Sequence, residues 1–247
     1  MRYFIELSYA GTRYHGWQTQ PNADTVQNNI EKALSLLLRF PTPITGAGRT
    51  DSGVHARQMF AHFDTNLIFD PNDLVYKLNS FLSHDIAIHQ IFAVQDQAHA
   101  RFDAVSRQYK YYIHSKKNPF LNDFSWYYKP ELDLKAMNEA AKSLLFFTDF
   151  KSFSKTHTDV KTYICHIEEA YWQKENDQLV FTITADRFLR NMVRAIAGTL
   201  INVGLGKITP TDMVKIIEAR NRNKAGFSVP AHGLFLEKIT YPEHLKR

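Results

Sequence analysis

With one cysteine in 247 residues, Cys165, the chain can form no intramolecular disulfide and no thiolate zinc site, which fits a reducing compartment. Long apolar runs are missing as well. The opening stretch MRYFIELSYAGTRYHGW carries charges throughout, so neither a signal peptide nor a membrane span is expected, and the expected location is the cytoplasm. The histidines His15, His55, His62, His99, His157, His166 and His232 are scattered, and none has the spacing of an H-E-x-x-H metal site. There is no G-x-x-x-x-G-K-[ST] loop and no strand-coupled G-x-G-x-x-G, so a nucleotide cofactor is not expected; GLGK near Gly204 reads as a helix end. No Ser/Gly-rich or low-complexity stretch marks a hinge. What is present is a composition that folds, 44% hydrophobic and 22% charged, with a net charge of +5 that leans modestly toward polyanions.

Periodicity supplies the elements. RYFIELSY alternates, with Tyr3, Ile5, Leu7 and Tyr9 on one face of a strand. After the loop AGTRYHGWQTQPNA, the residues Val26, Ile30, Ala33, Leu34, Leu37 and Leu38 recur at helical spacing behind Asp24 or Thr25 as cap. PITGAGRTDSGVHARQMFAHFDT reads as strand, glycine loop, strand; a helix follows over 71–82, then the strand IAIHQIFAV. The second half repeats the order: strand SRQYKYYIH, helix LKAMNEAAKSLLFF, a hairpin turning near Glu175 and Asn176, and helix RFLRNMVRAIAGTLINV ended by Gly204 and Gly206. Another helix starts at Thr209, with Pro210 first and Asp212 third, and GLFLEKITY is a last strand. The fold expected is α+β, with an N-terminal half over 1–104 and a C-terminal half over 105–247 that share a cleft.

Three segments carry chemistry. In GAGRTDSGVHA, Asp51 lies two residues from Arg49 among small neighbours that leave room for a substrate. A positive neighbour favours a carboxylate that acts as nucleophile or base, against the plainer reading of a turn aspartate. Asp-Ser-Gly occurs once, which argues against an aspartic protease, whose site needs two such carboxylates. In SRQYKYYIHSKK, Tyr109, Tyr111 and Tyr112 interleave with Arg107, Lys110, Lys116 and Lys117, a pattern suited to unstacked RNA bases as well as to an amphipathic strand. In RFLRNMVR, the spacing of Arg187, Arg190 and Arg194 predicts one helix face, either solvated or set against phosphate or a buried carboxylate.

Taken together, the chain resembles the tRNA pseudouridine synthase A family over nearly its whole length. The resemblance rests on YAGTRYHGWQTQP, GAGRTDSGVHARQMFAHF, HARFDAVSRQYKYYIH, FLRNMVRAIAGTL and PAHGLFL. It implies isomerisation of uridine to pseudouridine at positions 38–40 of the tRNA anticodon stem-loop, without cofactor or metal, by a homodimer. The fold it implies is the pseudouridine synthase fold, two α+β halves whose antiparallel sheets join around a central cleft with helices packed on them. Asp51 matches the family's catalytic aspartate, Tyr109 the active-site tyrosine, Arg194 the basic partner of the aspartate and Arg49 the arginine that helps displace the target base. The cations Arg101, Arg107, Lys110, Arg187 and Arg190 are the expected RNA contacts. The chain departs from the family at Phe227 and Ser228, where proline and threonine are frequent, and at Cys165, where arginine is common, which bears on local RNA contacts.

The chemistry suits these residues. The target base has to leave the stack, at a cost of a few kcal/mol. A glycine-flanked carboxylate can approach the extruded nucleotide, where attack on C1′, attack on C6 or removal of a ribose proton are all open to it. Tyr109 can stack on the uracil and assist removal of the C5 proton. Glycoside hydrolases use two carboxylates because water must be activated; here the leaving base is itself the incoming nucleophile. Two rival readings remain, an RNA-binding protein without catalysis and an aspartate-dependent hydrolase of a small anionic substrate.

Overall fold

RYFIELSY is extended as its alternation requires and forms strand β1, Arg2–Tyr9, in a computed structural model that describes residues 1–156 and 160–247. His157 lies outside the described residues. The chain folds into two compact units, Met1–Val105 with Leu236–Arg247, and Ser106–Phe235.

In the first unit, Tyr3, Ile5, Leu7 and Tyr9 are buried as the pattern predicts. Phe4 is buried too, because the rings of Phe92 and Tyr241 lie 6.0 and 5.3 Å from it on the other face. Helix α1 covers Val26–Leu38. Thr25 rather than Asp24 caps it, its hydroxyl accepting the Asn28 N–H at 3.4 Å. Strands β2 (Thr45–Gly46) and β3 (His55–Asp64) flank the glycine loop. Helix α2 runs Pro71–Phe81 from an Asp70 cap, with proline in the first turn, where no backbone donor is lost. Strand β4 is Ile86–Val94. β1 lies between β3 and β4, antiparallel to both, with Ile5 opposite Ala61 and Ile91. Helix α2 packs on β4 and α1 packs on α2.

The second unit begins with strand β5, Ser106–His114. A two-residue strand β6, Trp126–Tyr127, lies parallel to it; two residues carry no readable period, so this strand leaves no sign in the sequence. Helix α3 is Leu134–Ser143. Strands β7 (Ile167–Glu175) and β8 (Gln178–Ala185) form the expected hairpin, turning through Asn176 at φ 54°. The order is β5-β8-β7, antiparallel. Helix α4, Met192–Gly204, is buried on nearly every side, because only Arg194 and Asn202 interrupt its small and apolar surface. Gly198 is required there, since a Cβ would stand 1.9 Å from the Phe227 carbonyl oxygen. Helix α5, Pro210–Glu218, begins with the full capping box between Thr209 and Asp212.

Strand β9, Leu234–Thr240, begins with two residues of the second unit and continues in the first, where it neighbours β3. The Ile239 N–H donates to Gln58 Oε1 at 3.0 Å, and the Val105 N–H to the Thr240 carbonyl at 2.8 Å. These bonds hold Leu236–Arg247 in the first unit, although chain order groups it with 105–247. Both units mix helices with mostly antiparallel strands, so the fold is α+β. Among the described residues, no helix is long and apolar enough to cross a membrane.

Candidate active site

Asp51 sits in the turn that feeds β3, its carbonyl accepting the Val54 N–H at 3.1 Å. The loop before it is clamped by the segment after β1. The Tyr9 hydroxyl and Thr50 Oγ1 are 2.9 Å apart, and the Trp17 N–H reaches the Thr50 carbonyl at 3.4 Å. On the other side of Asp51, the Ser52 hydroxyl and the Gly53 N–H both donate to the Tyr14 carbonyl, at 3.2 and 3.3 Å. The Gly11 N–H donates to His55 Nδ1 at 3.0 Å. These bonds hold a half-buried carboxylate at a fixed place on a loop.

The clamp is itself locked. Asp85 accepts the Tyr14 hydroxyl at 2.6 Å and Arg13 Nε at 2.7 Å, and its carbonyl takes the Ala10 N–H at 2.9 Å. Burial pushes the Asp85 carboxyl up, but its hydrogen bonds from Tyr14, Arg13 and Ser83 outweigh that and hold it below the usual range. Burial, reinforced by Asp85, pushes the Tyr14 phenol up to about 12. Sequence reasoning places Tyr9 on a strand face and treats the stretch after it as a connecting loop, and it assigns Tyr14, Trp17 and Asp85 no role at the site. The signal available is YAGTRYHGWQTQP, a motif of the family resemblance that is dense in aromatic and glycine residues.

The loop glycines divide by role. Gly53 adopts φ 77°, which only glycine takes without strain. A Cβ on Gly46 would stand 2.3 Å from the Trp17 indole nitrogen. Gly48 faces open space, with nothing within 4 Å of where its Cβ would be. The loop is therefore open at Gly48, whereas Gly46 and Gly53 serve the fold.

In the second unit, the three tyrosines of β5 part company. Tyr111 and Tyr112 are core residues, and Tyr112 packs edge-on to Phe235 at 5.2 Å. Burial raises the Tyr111 phenol far above its ordinary value. Only Tyr109 is partly open, standing edge-on to Phe188 at 5.1 Å and 86°. Of the three rings in the sequence pattern, only one is therefore open enough to meet a base.

The basic helix face is corrected as well. Helix α4 starts at Met192, so Arg194 is helical while Arg187 and Arg190 precede it. Asn191 at φ 66° breaks the helical path, and the Asp186 carboxylate takes the Arg187 N–H at 2.7 Å, fixing an irregular entry. Arg187 Nη1 lies 3.3 Å from the carbonyls of Thr162 and Ile164, Arg190 is exposed, and Arg194 Nε donates to the Val229 carbonyl at 2.8 Å. Arg107 spends a donor on the Asp186 carbonyl at 2.6 Å, and Lys110 pairs with Glu175 at 3.2 Å. Arg49, Asp51 and Arg101 belong to the first unit; Arg107, Tyr109, Lys110, Arg187, Arg190 and Arg194 belong to the second.

The departures from the family pattern have structural places. Cys165 is fully buried, and burial pushes its thiol up to about 12, so it is an inert core residue. Ser228 Oγ accepts from Asn191 Nδ2 at 2.6 Å and from Arg222 Nη2 at 3.0 Å. Among the described residues, no three His, Cys, Asp or Glu side chains group as a metal site.

A carboxylate fixed on a loop, a partly open tyrosine on a strand and several arginines are groups that an enzyme acting on RNA bases employs. The family model described as tRNA pseudouridine synthase matches residues 7–103 and 140–242, and the chain belongs to this family of isomerases. More particularly, it is 56% identical over 248 aligned positions to the tRNA pseudouridine synthase A of Parabacteroides distasonis, covering 99% of this chain and 97% of that protein. It is similar at 52% to the protein of that name from Bacteroides thetaiotaomicron, covering 99% of this chain and 92% of the relative. The tRNA pseudouridine synthase A of Bacillus subtilis is 40% identical, with 98% of this chain and 99% of the relative covered.

Proposed function

We propose that the protein isomerises uridine to pseudouridine in tRNA, at positions 38–40 of the anticodon stem-loop, with Asp51 as the essential carboxylate. The observation that carries this reading is the clamped Asp51 loop with open space at Gly48, in a chain of this family. The reaction balances without a co-reactant: the C1′–N1 bond breaks, C1′ bonds to C5, the C5 hydrogen leaves as a proton and N1 gains one. Tyr109 presents its ring to the uracil and its hydroxyl to the C5 proton. Arg49, exposed beside Asp51, fills the space of the displaced base, and Arg194 is the basic residue of the site. Arg101, Arg107, Lys110, Arg187 and Arg190 contact RNA, the enzyme acts as a homodimer, and it works in the cytoplasm.

Release of tritium from tRNA labelled at uridine C5 tests the reading, because neither an RNA-binding protein nor a hydrolase exchanges that hydrogen. No release by the folded protein from any tRNA would refute it. Tyr109→Phe keeps the ring and loses the hydroxyl. It should bind tRNA normally and turn over about a hundredfold more slowly, within the range for lost acid–base catalysis. Wild-type turnover would assign the ring alone to Tyr109.

Binding should weaken steeply with salt, by about 0.7–0.9 in log–log slope for each phosphate neutralised. Arg190→Ala should lower that slope, as Arg190 is exposed. Lys110→Ala should lower it less, since Lys110 is engaged by Glu175. Filter binding across a salt series checks both, and equal slopes for wild type and Arg190→Ala would make Arg190 a merely solvated residue.

A further inference from the structure

Phe102 is 72% exposed, yet it projects from a turn held at almost every residue. The His99 ring lies 4.3 Å from its ring, and the Arg101 guanidinium 5.5 Å from its centroid. His99 Nδ1 accepts the N–H groups of Arg101 and Phe102 at 3.1 and 3.3 Å, and the His99 N–H donates to Asp103 Oδ2 at 2.7 Å. Beneath them, His62 Nδ1 accepts the Ala100 N–H at 3.1 Å, with the His62 and His99 rings 4.7 Å apart. Arg2 Nη1 and the Tyr241 hydroxyl bind the carbonyls of Ala98 and Ala100. Such bracing holds toward solvent an apolar ring that buries little of its surface.

The turn is also far from Asp51. Arg2 and Tyr9 end the same strand; Arg2 touches the turn through Ala98, and Tyr9 touches the Asp51 loop through Thr50. Seven residues of extended chain separate them by about 23 Å. β3 agrees, with His55 at the Asp51 end and His62 at the other. One nucleotide cannot meet both places. Charge near the turn is balanced, since Arg2 pairs with Asp64 at 2.7 Å and Asp103 stands two residues from Arg101. Phosphate attraction is therefore weak there, and an exposed ring with a guanidinium near it is what the turn offers. Aromatic and guanidinium planes stack on unpaired bases.

We infer that Phe102, with Arg101 beside it, is a stacking platform for an unpaired base of the tRNA outside the anticodon stem-loop, which helps place the target uridine at Asp51. This rests on the proposed tRNA activity. The test compares Phe102→Ala with wild type on full-length tRNA and on the isolated anticodon stem-loop, by filter binding and by tritium release. Loss of one stacked base should weaken full-length tRNA about tenfold, in Kd and KM rather than in kcat. The isolated stem-loop should show no such weakening, and Phe102→Tyr should restore binding. Unchanged affinity for full-length tRNA, or equal weakening on both RNAs, would overturn the inference. So would a changed sedimentation coefficient for the folded variant, which would make Phe102 a subunit contact. Filter binding reads the contact even if the wild-type protein released no tritium, so failure of the platform and failure of the activity are told apart.

Discussion

Asp51→Asn should abolish tritium release from C5-labelled tRNA while the protein stays folded and keeps its tRNA. The substitution preserves size and much of the hydrogen bonding but removes the charge, and an amide is neither nucleophile nor base. The main-chain bonds of the turn do not involve the side chain: the Asp51 carbonyl still takes the Val54 N–H, and Tyr14 still holds Ser52 and Gly53. Circular dichroism and thermal unfolding should match wild type. Affinity should hold or rise slightly, because a negative charge close to phosphates is gone. A turn aspartate with no chemistry would behave otherwise, since asparagine is an equally good turn former. Turnover within about threefold of wild type would place Asp51 in that plainer class.

Gly16→Ala should damage both stability and turnover, although Gly16 touches no chemistry. Gly16 adopts φ 88°, and its Cβ would stand 2.3 Å from the Thr50 carbonyl oxygen. Positive φ costs a side chain about 1–2 kcal/mol, and the overlap forces Thr50 to move. Thr50 is tied to Tyr9 and Trp17 and is bonded directly to Asp51, so the strain passes to the carboxylate. We expect a loss of about 2–3 kcal/mol, or roughly 6–9 °C in Tm for a chain of this size. A shift of about 1 Å in a reacting group costs on the order of a hundredfold in rate. Turnover should therefore fall much further than tRNA affinity. Gly48→Ala is the control for stability, as its Cβ meets nothing within 4 Å. Calorimetry that found both variants as stable as wild type would show that the clamp does not depend on Gly16.

Local rules in the sequence determined most of the elements. Alternation marked β1, and the capping box at Thr209 and Asp212 marked the start of α5 to the residue, because both signals act within a few neighbouring residues. Asp51 stood out for its glycine-rich surroundings and the resemblance those motifs carry. Tertiary structure decided what depends on partners far away in the chain. Tyr111 and Tyr112 share a strand pattern with Tyr109, yet both are core in the folded protein, where Tyr112 packs on Phe235. Arg187 and Arg190 fit a helical spacing, but Asp186 and the left-handed Asn191 hold them outside α4. The glycines of one loop look alike in sequence; Trp17, about thirty positions away, decides that Gly46 must be small and leaves Gly48 open. Side-chain packing between distant segments has no period and no fixed spacing, which is why the clamp around Asp51 was visible only in three dimensions.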